Sequence, residues 1–142
     1  MLKWFPLLII SVIFYNLLVY SGELFGATSG AAAFLASPLL TLGMFSGVDW
    51  TFRIEDFVIL MTMVFLFVEV IKATGTSSVE VINHGLSALV FIVALIEFIV
   101  LPEFATSAFF FVMLAALFDV IAGFTISIVA AKRDLAVVSE DR

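Results

Sequence analysis

Two long apolar runs separated by one proline decide what this chain can fold into. Residues 81–101 read VINHGLSALVFIVALIEFIVL and residues 104–131 read FATSAFFFVMLAALFDVIAGFTISIVAA, with only Pro102 and Glu103 between them. A helix rises about 1.5 Å per residue, so roughly 20 apolar residues match the hydrocarbon thickness of a bilayer. Each run is long enough to cross. Pro102 has no N–H with which to continue a helix, so the two runs must return on one another as antiparallel neighbours. Each run also carries one acid where lipid would lie, Glu97 in the first and Asp119 in the second.

The rest of the composition points the same way. Of 142 residues, 64% are hydrophobic and 13% charged. A soluble domain carries about 25% charge and about half apolar residues. The surplus is too large for one small core and must face lipid. The net charge of -6 argues against a nucleic-acid or anionic-lipid partner held by a basic patch. With no cysteine there is no disulfide framework, thiolate nucleophile or cysteine metal site.

The expected architecture is all-α: a four-transmembrane-helix bundle forming a single domain over residues 1–131. Spans are expected at about 4–20, 52–74, 78–101 and 104–131, followed by a polar cytoplasmic tail at 132–142. The first span, with Lys3 ahead of an apolar run and small residues at 30–33, has the outline of a signal peptide; it is read here as a retained span. Pro6 is tolerated in its first turn, and Trp4, Tyr15 and Tyr20 suit the two interfaces. The second span is expected to start from Asp49 or Thr51 as N-cap and to stop at Gly75, the third to open with a Ser77/Glu80 capping box.

Residues 21–50 are the irregular part. They hold Gly22, Gly26 and Gly30 at spacing four, Pro38, and then Gly43 and Gly47. The apolar piece at 31–45 is too short to span. A re-entrant or interfacial pair of short helices is expected there, with the glycines allowing close backbone approach.

Wheel positions at 100° per residue give each span one small or polar stripe. These stripes are Asn16, Tyr20 and Glu23 on the first; Glu55, Thr62 and Glu69 on the second; Asn83, Val90, Ala94 and Glu97 on the third. On the fourth the stripe is Ala108, Ala115, Asp119, Ala122, Gly123 and Ala130. Ala115 and Gly123, with the outer glycines, are the helix-packing candidates. Phe109, Phe110 and Phe111 are left for lipid or a partner.

Asn16, Glu69, Glu97 and Asp119 are the candidate buried polar contacts or ion-path stations. A carboxylate in hydrocarbon must be protonated, hydrated or paired, and no basic residue is expected at the depth of Glu97 or Asp119. Lys72, Glu80 and His84 are the interfacial polar candidates. Glu69 and Lys72 read as a snorkelling surface pair, and His84 as an interfacial hydrogen-bonding group. His84 is the sole histidine, so no metal site is expected. No catalytic motif occurs, and no cofactor is called for.

The stretches ATGTSSVEVINHGLSALVFIVALIEF and FDVIAGFTISIVAAKRDLAV resemble a group of short hypothetical inner-membrane proteins from alphaproteobacteria, over residues 72–138. The resemblance implies a bacterial inner membrane and assigns no site residue. Cationic residues Lys3, Lys72, Lys132, Arg133 and Arg142 fall on one side of a four-span chain and Arg53 on the other, so both termini are expected in the cytoplasm. The expected function is non-catalytic: association through helix contacts, as a homo-oligomer or accessory subunit of a larger membrane complex. The alternative is a small proton or cation channel or transporter using the intramembrane carboxylates.

Overall fold

The computed structural model describes residues 5–24, 30–74 and 78–140. The chain is mostly helical. Helix α1 is Leu8–Leu24 and the short α2 is Gly30–Leu35; strands β1 (Pro38–Gly43) and β2 (Asp49–Arg53) follow. Helices α3 (Ile54–Lys72), α4 (Ser78–Val100) and α5 (Ser107–Glu140) complete it, with a 3₁₀ turn at Pro102–Phe104 between the last two.

Local chemistry explains these boundaries. Pro6 lies ahead of α1 in a turn closed by the Ile9 N–H on its carbonyl at 3.2 Å. The first helix therefore begins four residues later than expected and runs on past Tyr20. At α5 the Thr106 hydroxyl accepts the Phe109 N–H at 3.1 Å, a side-chain N-cap that starts the helix at Ser107 rather than at Phe104. That helix continues through Glu140, so residues expected as a polar tail prolong it. Helix α4 stops just short of Pro102, as a proline demands.

The segment between the first two long helices departs most from expectation. A single short helix, α2, is followed by an antiparallel β-hairpin in place of a second helix. Gly47 has φ 81°, a left-handed conformation that closes the Met44–Gly47 turn. Pro38 takes the first position of a strand, where its missing N–H does no harm. Gly43 and Gly47 thus shape a hairpin and pack no helices. Gly22 and Gly30 lie on the backbone of α1 and α2, and Gly26 lies outside the described residues. The hairpin also absorbs Asp49 and Thr51, the expected caps of the next helix. Arg53 caps α3 instead, its N–H donating to the Asp56 carboxylate at 2.8 Å. Ser77 and Gly75 lie outside the described residues.

Helix α5 packs between α3 and α4, and α1 lies across all three. Long-range bonds fix their directions. Glu69 of α3 accepts from the Leu7 N–H ahead of α1 and from Asn83 of α4, so these three helix ends meet. At the opposite end Asn16 reaches Glu97 and Tyr15 reaches Thr106. The four long helices therefore alternate in direction. Two of them, over 82–100 and 107–130, are long and apolar enough to cross a membrane among the described residues; the apolar part of α1, 8–21, is shorter.

The core joins Leu8, Val12, Tyr15 and Val19 of α1 to Val90 and Ala94 of α4 and to Phe104, Ala108, Phe109, Val112 and Ala116 around α5. Two face assignments change. The buried stripe of α1 runs through Ser11 and Tyr15, while Tyr20 is half exposed. Tyr15 is no interface residue: its ring sits 4.7 Å from Phe109 and 5.4 Å from Phe104. Phe109 is accordingly fully buried, and only Phe110 and Phe111 face outward. The cause is the tight Pro102 return, which brings the first turn of α5 against α1.

Candidate functional site

The structure gathers polar side chains into two groups, a buried one and a half-buried one, at opposite ends of the helical core. The larger lies at the Lys72 end. Glu69 arrives there from the last turn of α3, Asn83, His84 and Ser87 from the first turns of α4, and Asp119 from the middle of α5. All five are at most 3% exposed. Asn83 and Ser87 are four apart on one helix face, with His84 beside them, which is why one short stretch of α4 supplies three polar groups.

Glu69 is the organising acid. Its carboxylate accepts from Lys72 Nζ at 2.9 Å, from Asn83 Nδ2 at 3.2 Å and from the Leu7 N–H. Lys72 in turn donates to the Phe5 carbonyl at 3.0 Å. Glu69 and Lys72 thus form a buried pair, with side chains 0% and 17% exposed, and not the surface pair their i,i+3 spacing suggests. The residues before α1 turn across the end of α3 and cover the pair, a contact no local pattern reveals.

The His84 ring lies directly against Gly123 of α5, so that a Cβ on Gly123 would fall inside the ring's van der Waals envelope. Glycine there lets α4 and α5 approach with an imidazole between them. His84 is 1% exposed, so it is a buried group and not an interfacial one, and neither ring nitrogen has a hydrogen-bond partner among the described residues. Glu80 lies one turn earlier on the α4 backbone. Asp119, on the facing helix, stands beside Ser87. Ser87 lies 13 residues before the end of α4 and Asp119 12 residues into α5, so the two come level across the antiparallel pair. Asn83 Oδ1, Ser87 Oγ and Asp119 Oδ2 also lack partners among the described residues.

The second group is smaller. Asn16 Nδ2 donates to both Glu97 oxygens, at 3.2 and 3.3 Å, and to the Val12 carbonyl at 3.0 Å. Tyr15 and Thr106 hydroxyls are 2.6 Å apart nearby. Ten residues of α4, about 15 Å of helix, separate Ser87 from Glu97. Val90 and Ala94 of α4 and Val112 and Ala116 of α5 are buried between. Glu69 thus lies at the Lys72 end and Glu97 at the other, joined to different partners.

Sequence reasoning passed over Ser87, Tyr15 and Thr106 as site residues. Ser87 was legible as the i+4 partner of Asn83; Tyr15 and Thr106 pair across 91 positions and left no local trace. Thr62 bonds its own helix at the Val58 carbonyl, 2.8 Å away, and Ala115 lies buried where α5 meets α3 beside a small apolar cavity of about 80 Å³. A larger apolar groove, about 250 Å³, lies between Ile9 and Val12 of α1 and Leu86, Leu89 and Val93 of α4. Among the described residues no three His, Cys, Asp or Glu side chains stand together in a way that could hold a metal ion. No family model, curated protein or solved structure matches this chain.

Proposed function

We propose that this chain is a four-span integral membrane protein of a bacterial inner membrane that works without catalysis, by associating with copies of itself or with other membrane subunits. The four-span reading draws on the alternating directions of α1, α3, α4 and α5 and on the 17 and 19 residues of the first two. Lys72 and Lys132 lie toward one end and Arg53 toward the other, so the positive-inside rule puts both termini in the cytoplasm.

The observation that carries association is the hairpin. Its register pairs Leu40 with Phe52 and Leu42 with Trp50, and paired residues share a face. Thr41, Thr51 and Asp49 fall on the opposite face. The hairpin is therefore amphipathic, with Met44, Phe45 and Val48 at its tip, and nearly all of it is exposed. A two-stranded hairpin with an uncovered apolar face is marginal alone and suited to docking. Conduction along Glu97, Asp119 and Glu69 is the competing reading; the apolar stretch between Glu97 and the other two weighs against a through path.

Because the chain has no cysteine, a single cysteine at Phe45 reports on the hairpin's neighbours by cross-linking in native membranes. The expected result is a cross-linked product of one defined mass, matched by a stoichiometric assembly in native mass spectrometry from mild detergent. Changing Leu40, Leu42 and Trp50 to Thr releases the monomer. A monomer from the outset, with Phe45→Cys uncross-linked, overturns the proposal.

A further inference from the structure

Helices α1 and α4 carry two matched stripes. On α1, Ile9, Val12 and Asn16 succeed one another at spacings of three and four; on α4, Leu86, Leu89, Val93 and Glu97 do the same. Each set therefore lies along one helix face. The apolar members, with Phe5 ahead of α1, line the groove of about 250 Å³ between the two helices. The polar members meet one turn beyond its end, where Asn16 Nδ2 donates to both Glu97 oxygens at 3.2 and 3.3 Å. The groove is thus apolar along its length and has a carboxylate at its mouth.

Its dimensions select the occupant. Leu89 and Val93 are 58% and 49% exposed, so the groove opens sideways to whatever surrounds the helices. In the four-span arrangement that surrounding is lipid, and the inference rests on that arrangement and not on association. Leu86 and Glu97 are eleven residues apart on α4, about 16 Å of helix. Half of a hydrocarbon thickness of about 30 Å is about 15 Å, so the stripe has the depth of one leaflet. Over the lined stretch from Leu86 to Val93, about 10 Å, a helix about 10 Å across would need roughly 800 Å³. The groove has room for one extended hydrocarbon chain and not for a helix of a second copy.

Charge selects the head. Glu97 lies three residues, about 4.5 Å, from the end of α4, where the headgroup region of that leaflet begins. Its donor is the Asn16 amide, and among the described residues no cation pairs with it: Arg53 is taken by Glu55 and Lys72 by Glu69. Glu55, Asp56 and Glu103 stand toward the same end. An anionic head is repelled there, and a cationic head that can donate hydrogen bonds is attracted. We propose that the α1/α4 groove holds one acyl chain of a phospholipid whose primary ammonium head pairs with Glu97. Asn16 acts as a positioning residue that holds the carboxylate over the groove.

The test uses the full chain in nanodiscs made of equal parts phosphatidylethanolamine and phosphatidylglycerol with identical acyl chains. Native mass spectrometry after release into mild detergent counts the lipids each chain retains. The expected result is one retained lipid per chain, with the ethanolamine head enriched about fivefold over the glycerol head, the worth of a half-exposed ion pair. Glu97→Gln keeps a polar partner for Asn16 and removes the charge; retention stays and the enrichment falls toward one. Val93→Trp fills the groove from its exposed side, and the retained lipid is lost whichever head it carries. Enrichment unchanged in Glu97→Gln, or a lipid still retained in Val93→Trp, overturns the proposal. So does a dimer that Val93→Trp separates with no lipid lost, which assigns the groove to a second copy. A chain that never enters the discs fails the membrane-spanning reading itself; one that enters and retains no lipid fails the groove alone.

Discussion

Glu69 and Glu55 are two acids on one helix, each beside a cation, and they illustrate how depth decides what a pair contributes. Arg53 and Glu55 sit 3.3 Å apart with side chains 50% and 29% exposed, where water and mobility leave such a pair under about 1 kcal/mol. Glu69 lies out of water with Lys72, Asn83 and the Leu7 N–H all donating to it. Removing it strands three donors, one of them charged. Glu69→Ala is therefore expected to destabilise the chain by about 3–5 kcal/mol and Glu55→Ala by less than about 1 kcal/mol. Reversible unfolding in mixed detergent micelles measures both; equal losses would show that Glu69 is not buried in the folded protein. The spacing of Glu69 and Lys72 is plain in the sequence. Their burial is not, because the covering residues, Phe5 and Leu7, lie more than 60 positions away.

At the scale of elements, the meeting of α4 with α5 rests on one missing Cβ. An alanine at Gly123 must displace the His84 ring or part the helices, and overpacking of this kind costs about 1–3 kcal/mol. Gly85, on the exposed side of α4, has nothing within 4 Å of an added Cβ. There an alanine relieves the helix-interior penalty of glycine, about 0.5–1 kcal/mol. The two substitutions should move the unfolding midpoint in opposite directions, and movement in the same direction would place the His84 ring elsewhere. The hairpin teaches a different lesson. Glycines at spacing four read as helix packing, yet Leu40 and Leu42 alternate with a polar residue, as do Trp50 and Phe52, which is the period of a strand. Gly47 lies between them, where a left-handed turn residue is required. That signal was present and was outweighed by the apolar character of the whole stretch.

For the molecule as a whole, the four-span arrangement proposed above makes a topological prediction. Ser46 in the hairpin turn and Glu103 in the 3₁₀ turn lie at one end, and Lys132 lies beyond the other; all three are exposed. In the cysteine-free background, Ser46→Cys and Glu103→Cys should react with a membrane-impermeant maleimide in intact cells. Lys132→Cys should react only after permeabilisation. Labelling of all three from one side would sink the arrangement.

The sequence by itself determined the long helices, their approximate ends and the sharp return at Pro102. Those follow from properties each segment carries alone: apolar length, the missing N–H of proline, and the 3.6-residue period that put Asn83, Val90 and Ala94 on one face. Tertiary structure alone decided which polar groups meet. Leu7 with Glu69, Asn16 with Glu97 and Tyr15 with Thr106 are joined across 62, 81 and 91 positions. Such pairings depend on how far each helix is shifted along its neighbours. That shift is set by the caps at Arg53 and Thr106 and by the small residues between α4 and α5. Across α4 and α5 that shift decides which polar residue of α5 comes level with Ser87, and it is Asp119.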